Sequence, residues 1–180
     1  MPTCINPRSR FDNIIRQMKS ILVLRHAKSS RKDPDLTDHD RPLNKRGKRD
    51  APRMGRLLKK EHLVPDAIIS STAMRARDTA EAVAKASGYT GDITFNRSLY
   101  AAGPQDYIDA LHDLSDDYVR VLIIGHNPGL EELVEMLTGE IHIMPTCALA
   151  HVQLNVDKWR ERDYKIRGQV AEIWRPPDPT

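Results

Sequence analysis

The amino-acid sequence predicts an α/β protein, a three-layer α/β/α sandwich with a mostly parallel central sheet. Short aliphatic runs rich in Val and Ile alternate along the chain with longer segments whose apolar residues recur with helical spacing. The aliphatic runs are continuous, which is typical of parallel strands covered by helices on both faces. This alternation of strand and helix is the pattern of an α/β sandwich.

The predicted strands are short. Three of them read as continuous buried runs: residues 20–24 (SILVL), 66–70 (DAIIS) and 119–124 (VRVLII). Near the end of the chain, residues 148–156 and 168–174 alternate between apolar and polar positions, which indicates two further strands.

The predicted helices lie between these strands. Helical periodicity or a helix-favouring, alanine-rich composition marks residues 44–62, 73–86, 104–114 and 128–138. Pro52 lies inside the first of these segments and predicts a kink or a restart of the helix there.

Composition and charge limit the function classes. No apolar run approaches the roughly 20 residues that span a membrane, and a net charge of +3 is too small to indicate nucleic-acid binding. Residues 25–60 nevertheless hold thirteen Lys or Arg and five Asp, a bias that can steer an anionic partner. Cys4 and Cys147 form no metal-ligand spacing and no disulfide framework, so a reducing cytoplasm is expected.

The first residues of the chain are treated separately. Residues 1–17 lack the apolar run and the small-residue cleavage site of a secretory signal. We expect a loosely held extension, or a true start at Met18, and assign residues 18–180 to one domain.

Chemically distinctive side chains follow three of the predicted strands. Arg25 and His26 end the first strand, Arg75 begins the helix after the second, and His126 begins the helix after the third. In open α/β sheets, ligands bind beyond the carboxyl ends of the strands. If these strands are neighbours, the four side chains converge in one crevice.

The local sequence at these helix starts favours an anion. Ser71 or Thr72 is predicted to cap one helix, and Asn127 is predicted to cap the other with Pro128 at its first position. Helix N-termini carry partial positive charge and free N–H groups that bind phosphate. Gly125 allows close backbone approach.

Three segments resemble the signature segments of the histidine phosphatase superfamily, which has the phosphoglycerate-mutase-like fold. They are LRHAK at 24–28, SSTAMRARDTAE at 70–81 and GHNPG at 125–129, and a further segment, DHDRPLNKRG at 38–47, indicates the branch. The likeness extends over about residues 18–174. RHAK and DHDRPLNKRG are similar in particular to the SixA-type protein phosphohistidine phosphatases.

The resemblance implies a role for each matched residue. His26 would be the nucleophile that accepts the phosphoryl group, and Arg25 and Arg75 would clamp the phosphate. His126 would bond to the phosphoryl oxygens, and Arg41 would lie against the phosphate. The chemistry is consistent, because phosphoryl transfer needs an in-line nucleophile and donors on the equatorial oxygens.

For several other residues the sequence allows two roles. Lys28 attracts substrate at the pocket rim or is simply solvated, and Asn127 contacts substrate or only caps its helix. His39 could line the pocket. Arg77 is expected to pair with Glu81 on the helix surface instead of reaching the site. We expect no metal and no cofactor, since arginines can neutralise the phosphoryl charge.

A proton donor is missing where ester-cleaving relatives carry one. The stretch after the Arg75 helix offers Ala101, Ala102 and Gly103, with Asp106 further on. An alkoxide leaves poorly without a proton, whereas the nitrogen of phosphohistidine can leave as neutral imidazole. The remaining carboxylates that could reach the pocket in three dimensions are Asp38, Asp40, Asp106 and Glu131.

The sequence therefore predicts a metal-independent phosphatase that acts on protein phosphohistidine and releases inorganic phosphate. The alternative is a phosphomonoesterase for a small metabolite or nucleotide. A third, weaker alternative is a non-catalytic phosphate-binding module. Neither a nucleic acid nor a membrane is expected as a partner.

Overall fold

The computed structural model describes residues 18–160 and 168–177, and the predicted extension at residues 1–17 lies outside them. Within the described part, six strands form one sheet: β1 Lys19–Arg25, β2 Ala67–Ser71, β3 Ile93–Asn96, β4 Arg120–Gly125, β5 Leu149–Leu154 and β6 Gly168–Trp174. Their order is β3-β2-β4-β1-β5-β6. The first four are mutually parallel, β5 runs antiparallel to β1, and β6 runs antiparallel to β5.

Four α-helices cover this sheet in the described residues: α1 Lys45–Lys60, α2 Met74–Ser87, α3 Pro104–His112 and α4 Gly129–Thr138. The apolar residues of α1 and α2 share one core cluster, and those of α3 and α4 share another. The two clusters lie on opposite faces of the sheet. The predicted three-layer, mostly parallel α/β sandwich is therefore confirmed.

Strand β4 shows why the central strands are continuously apolar. Val121 and Ile123 belong to the core on the α3–α4 face, while Leu122 and Ile124 belong to the core on the α1–α2 face. All four side chains are fully buried. Because successive strand residues point to opposite faces, a strand between two helical layers needs an apolar residue at every position.

The structure differs from the sequence prediction at two places, since the possible restart of α1 at Pro52 does not occur and β3 was not predicted. Helix α1 runs without interruption from Lys45 to Lys60 with Pro52 inside it, so the helix does not restart there. Its extensive packing against α2 holds the segment helical despite the hydrogen bond that proline removes. Strand β3 was not predicted, since ITFN is only four residues long and forms an edge strand that pairs with β2 alone in the described sheet.

The predicted caps of α2 and α4 were also wrong. Ala73 occupies the cap position of α2 without a side-chain hydrogen bond, although its N–H donates to Ser71 Oγ at 3.3 Å. Pro128 occupies the cap position of α4, and the Asn127 amide bonds elsewhere. Cap preferences describe local sequence only. Here the side chains of Ser71, Thr72 and Asn127 form hydrogen bonds with residues that are distant in the chain.

No helix in the described part of the chain is long and apolar enough to cross a membrane.

Candidate active site

The sheet order brings the predicted site residues together. Strand β4 pairs with β1 on one side and β2 on the other, with Arg25 opposite Gly125 and Ser70 opposite Ile124. The carboxyl ends of the three strands therefore meet at one edge. His26, Arg75 and His126 follow these ends and contact one another.

His26 is held as a neutral imidazole whose Nε2 faces the arginine. Its Nδ1 lies 2.8 Å from the Ala27 carbonyl oxygen, which can only accept, so Nδ1 carries the proton. Nε2 then has a free lone pair, and Arg75 Nε donates to it at 3.3 Å. Burial lowers the pKa of His26 to about 4, outweighing the Ala27 hydrogen bond, and the nearby arginine charges add to that effect.

The backbone at His26 is fixed by two neighbouring strands. The His26 N–H donates to the Gly125 carbonyl at 3.1 Å, and the Cys147 N–H lies 3.1 Å from both the Arg25 and the His26 carbonyl oxygens. Cys147 has a left-handed backbone, with φ of 67°. This conformation is uncommon for a residue with a side chain and turns the chain toward β1 just before β5 begins.

Arg75 is buried at the centre of the site, with 7% of its surface exposed. Besides His26, its guanidinium approaches His126 Nδ1 at 3.4 Å and Asp38 Oδ2 at 3.0 Å. Thr79 locks the first turn of α2 in place, because its hydroxyl accepts from the Ala27 N–H at 3.0 Å and donates to the Arg75 carbonyl at 2.6 Å.

His126 lies beside His26, with ring centroids 5.0 Å apart. Its Nε2 is 2.9 Å from Ser71 Oγ, and Arg75 donates toward its Nδ1. Burial lowers the pKa of His126 to about 3, and the positive charge of Arg75 reinforces the shift. The Tyr107 hydroxyl accepts from the His126 N–H at 3.2 Å and fixes the backbone there.

Arg25 and Asn127 meet at one carbonyl. Arg25 Nη1 donates to the Met144 oxygen at 2.9 Å, and Asn127 Nδ2 donates to the same oxygen at 3.0 Å. Arg25 Nε is buried and has no hydrogen-bond partner among the described residues. A buried donor of this kind is costly unless an acceptor fills the site, so Arg25 is suited to bind an anion.

A cavity of about 540 Å³ opens beside His26. Among the described residues, its lining holds a single carboxylate, Asp38, and six cationic side chains: Arg25, Lys28, Arg31, Lys32, Arg41 and Arg75. The predicted residues Lys28 and Arg41 thus lie in the cavity wall. His126 and Asn127 are not among the lining residues: His126 contacts His26 and Arg75, and Asn127 bonds to the Met144 carbonyl.

Asp38 is the one of the four candidate carboxylates that lines the cavity, and it bonds to Tyr100, which the sequence did not assign to the site. Asp38 accepts from Arg41 at 2.6 Å and from the Tyr100 hydroxyl at 3.0 Å. Partial desolvation alone would raise the pKa of Asp38, but the Tyr100 hydrogen bond and the charge of Arg75 hold it below its usual value. No sequence signal marked Tyr100, which lies between the motifs at residues 70–81 and 125–129 and belongs to neither.

The other candidate acids bond to backbone or to loop residues. Asp106 accepts from the Gly103 N–H at 2.8 Å, and Glu131 accepts from the Met144 N–H at 2.7 Å. Asp40 accepts from Thr37 Oγ1 at 2.7 Å. None of these three lines the cavity.

Arg77, expected to pair with Glu81, and His39, which could have lined the pocket, both have other partners. The Arg77 guanidinium lies over the Phe95 ring, 4.4 Å from its centroid, so its partner is an aromatic face. His39 bonds to Thr72 Oγ1 at 3.0 Å and contacts the Tyr100 ring edge-on, outside the cavity lining.

Comparison with known proteins identifies the family. The family profile described as "Histidine phosphatase superfamily (branch 1)" matches residues 21–99. An uncharacterised chloroplast protein of Arabidopsis thaliana is 32% identical over 85% of this chain and 78% of its own length. The chain belongs to the histidine phosphatase superfamily.

Solved structures extend this likeness to the SixA branch. A protein of Agrobacterium tumefaciens assigned as the phosphohistidine phosphatase SixA is 28% identical, with a TM-score of 0.73 over 88% of this chain and 99% of that one. A protein histidine phosphatase SixA complexed with tungstate has the same fold, with a TM-score of 0.73 at 23% identity over 86% and 95% of the two chains. This histidine phosphatase is thus SixA-like in fold.

Proposed function

We propose that this histidine phosphatase removes the phosphoryl group from phosphohistidine on a protein, through a phosphorylated His26 intermediate. The neutral tautomer of His26 supports this role, because it leaves Nε2 unprotonated on a residue that lines the cavity, with only the Arg75 hydrogen bond to exchange for phosphorus. An imidazole held in one tautomer is a competent covalent nucleophile.

The bond changes of the proposed reaction are simple. His26 Nε2 bonds to phosphorus as the P–N bond of the substrate breaks. With a proton from solvent on its second nitrogen, the substrate imidazole leaves as a neutral molecule. Water then attacks the phosphorus, the bond to His26 breaks, and inorganic phosphate leaves. Arg25, Arg41 and Arg75 would neutralise the phosphoryl oxygens in both steps.

The observation that supports the proposed substrate is that the carboxylate in the cavity, Asp38, is held in its ionised form. Asp38 is the only carboxylate that the described residues contribute to the cavity lining, and it accepts hydrogen bonds from Arg41, Arg75 and Tyr100. These partners stabilise its ionised form, so it is a poor proton donor at neutral pH. An alkyl ester would have to leave without that assistance, whereas phosphohistidine does not need it.

A phosphomonoesterase is the second candidate, and the position of Asp38 in the cavity is the observation in its favour. For this reading, Asp38 would have to take up a proton and leave its arginine partners during turnover. A non-catalytic phosphate-binding module is less well supported, because it would have no need for the His26 tautomer described above.

The test compares kcat/KM for a phosphohistidine-bearing protein, an alkyl phosphate and p-nitrophenyl phosphate. General acid catalysis commonly contributes about 10²- to 10⁴-fold. We therefore expect phosphohistidine to exceed the alkyl ester by at least about 10²-fold, with the aryl ester between them. EDTA should leave all three rates unchanged. Similar rates for alkyl and aryl esters would replace this proposal with the phosphomonoesterase.

A further inference from the structure

The Asp38 carboxylate lies on two of the arginines that would hold a phosphoryl group. Its Oδ1 accepts from Arg41 Nη1 at 2.6 Å, and its Oδ2 accepts from Arg75 Nη2 at 3.0 Å. The Tyr100 hydroxyl donates to Oδ2 at 3.0 Å. A carboxylate bound to two guanidinium groups presents two oxygens much as a phosphate would.

Arg41 has a described acceptor for each of its three nitrogens. Nε donates to the Ser30 carbonyl at 2.9 Å, Nη2 donates to Ser29 Oγ at 2.7 Å, and Nη1 donates to Asp38. The bond to Asp38 is the one with a charged acceptor. A phosphate oxygen that binds Arg41 Nη1 therefore has to replace Asp38 there.

Asp38 is also placed so that it can be displaced. Its side chain is 53% exposed, whereas the Arg75 side chain is only 8% exposed. Water can solvate the carboxylate when it leaves the arginines, while the buried guanidinium needs an anionic partner. The asymmetry favours an exchange in which an incoming phosphate takes over Arg75 and Asp38 turns to solvent.

We propose that Asp38 competes with phosphate for Arg41 and Arg75 and so weakens the binding of anions, including the phosphate product. The inference rests on the proposed function only in taking the cavity as the phosphoryl site. Without this carboxylate, a cavity walled by six cations would retain a phosphate dianion strongly. Weaker product binding favours release between turnovers.

The opposite role would be structural support (a strut), in which Asp38 holds the two guanidinium groups in the geometry that phosphate needs. The two roles predict changes of opposite sign in anion affinity when Asp38 is replaced. Removing a competitor strengthens anion binding, whereas removing a strut weakens it. General damage to the site would also weaken binding, so a gain in affinity is diagnostic.

The experiment titrates tungstate and inorganic phosphate into the wild-type protein and into Asp38→Asn by calorimetry. We expect Asp38→Asn to lower the Kd for both anions by about threefold or more, the size expected of one partly exposed charge pair. Asp38→Glu keeps the charge and should return the Kd close to the wild-type value. Asp40→Asn removes a neighbouring charge outside the cavity and is the matched control.

An unchanged or higher Kd in folded Asp38→Asn overturns the inference, as does an equal decrease in Asp40→Asn. Circular dichroism checks folding, and Asp38→Ser provides a second variant with the same expected gain. If the wild-type protein binds neither anion, the proposed phosphoryl site fails with it. If the wild type binds both and Asp38→Asn is not tighter, the role of Asp38 alone is rejected.

Discussion

The Nε–H of Arg75 points at the Nε2 atom of His26 across 3.3 Å, and the same guanidinium lies 3.4 Å from Nδ1 of His126. A guanidinium can only donate, so both ring nitrogens must be acceptors and both imidazoles are neutral. Arg75 thereby faces an unprotonated ring nitrogen on each of the two histidines.

His26→Ala should abolish turnover while leaving the fold intact, because the side chain lies at the end of β1 and outside both core clusters. Rapid quench with labelled substrate should trap acid-labile phosphate on the wild-type protein and none on the variant. His62→Asn, which removes an exposed imidazole beyond the end of α1, is the control. Full activity in His26→Ala would exclude the covalent mechanism.

Arg75→Ala should lower kcat/KM by about 10²- to 10³-fold, the usual cost of losing one charge-stabilising donor. Arg77→Ala is the matched control two residues along α2, since its guanidinium covers Phe95 and does not line the cavity. Steady-state kinetics on both variants checks the difference. A large loss in Arg77→Ala with a small one in Arg75→Ala would contradict the assigned geometry.

Acid should destabilise the fold through His26. Its pKa is about 4 in the folded protein, against 6.5 for an unperturbed histidine, so the unfolded state binds more protons between these values. Stability is therefore complete above pH 6.5 and falls as the pH drops toward 4.

His26→Gln should remove this contribution. Between pH 7 and pH 5, urea unfolding should show a smaller loss of stability in His26→Gln than in the wild type, by about 1–2 kcal/mol. His62→Asn again serves as the comparison. Identical pH dependence in the wild type and His26→Gln would mean that burial does not depress the pKa of His26.

Gly125→Ala should destabilise the protein by about 1–3 kcal/mol, as overpacking usually does. A Cβ at this position would lie 2.2 Å from the Tyr107 hydroxyl oxygen, which holds the backbone of His126. Gly103→Ala is the control, because its nearest atom would be 3.9 Å away and its backbone is extended. Equal unfolding midpoints for the two variants would show that the close contact relaxes without cost.

Much of the architecture was predictable from local pattern. Strands β1, β2 and β4 were predicted within one or two residues, because a strand buried on both faces must be apolar at every position. The helices were predicted from spacing and composition. Strand β3 was not predicted, because a four-residue edge strand has no comparable sequence pattern. The predicted cap of α4 was wrong because the Asn127 side chain bonds to a distant carbonyl instead.

The sequence by itself determined the fold class, the family and the residues that end the strands, since burial and strand direction follow from the order of apolar and charged residues. Only the tertiary structure decided which of those residues share a wall. It placed Lys28 and Arg41 in the cavity wall, left His126 out of that wall, and put Asp38 on Arg75 although 36 residues of chain separate them. Such pairings depend on how loops fold back across the sheet edge, and no local pattern encodes them.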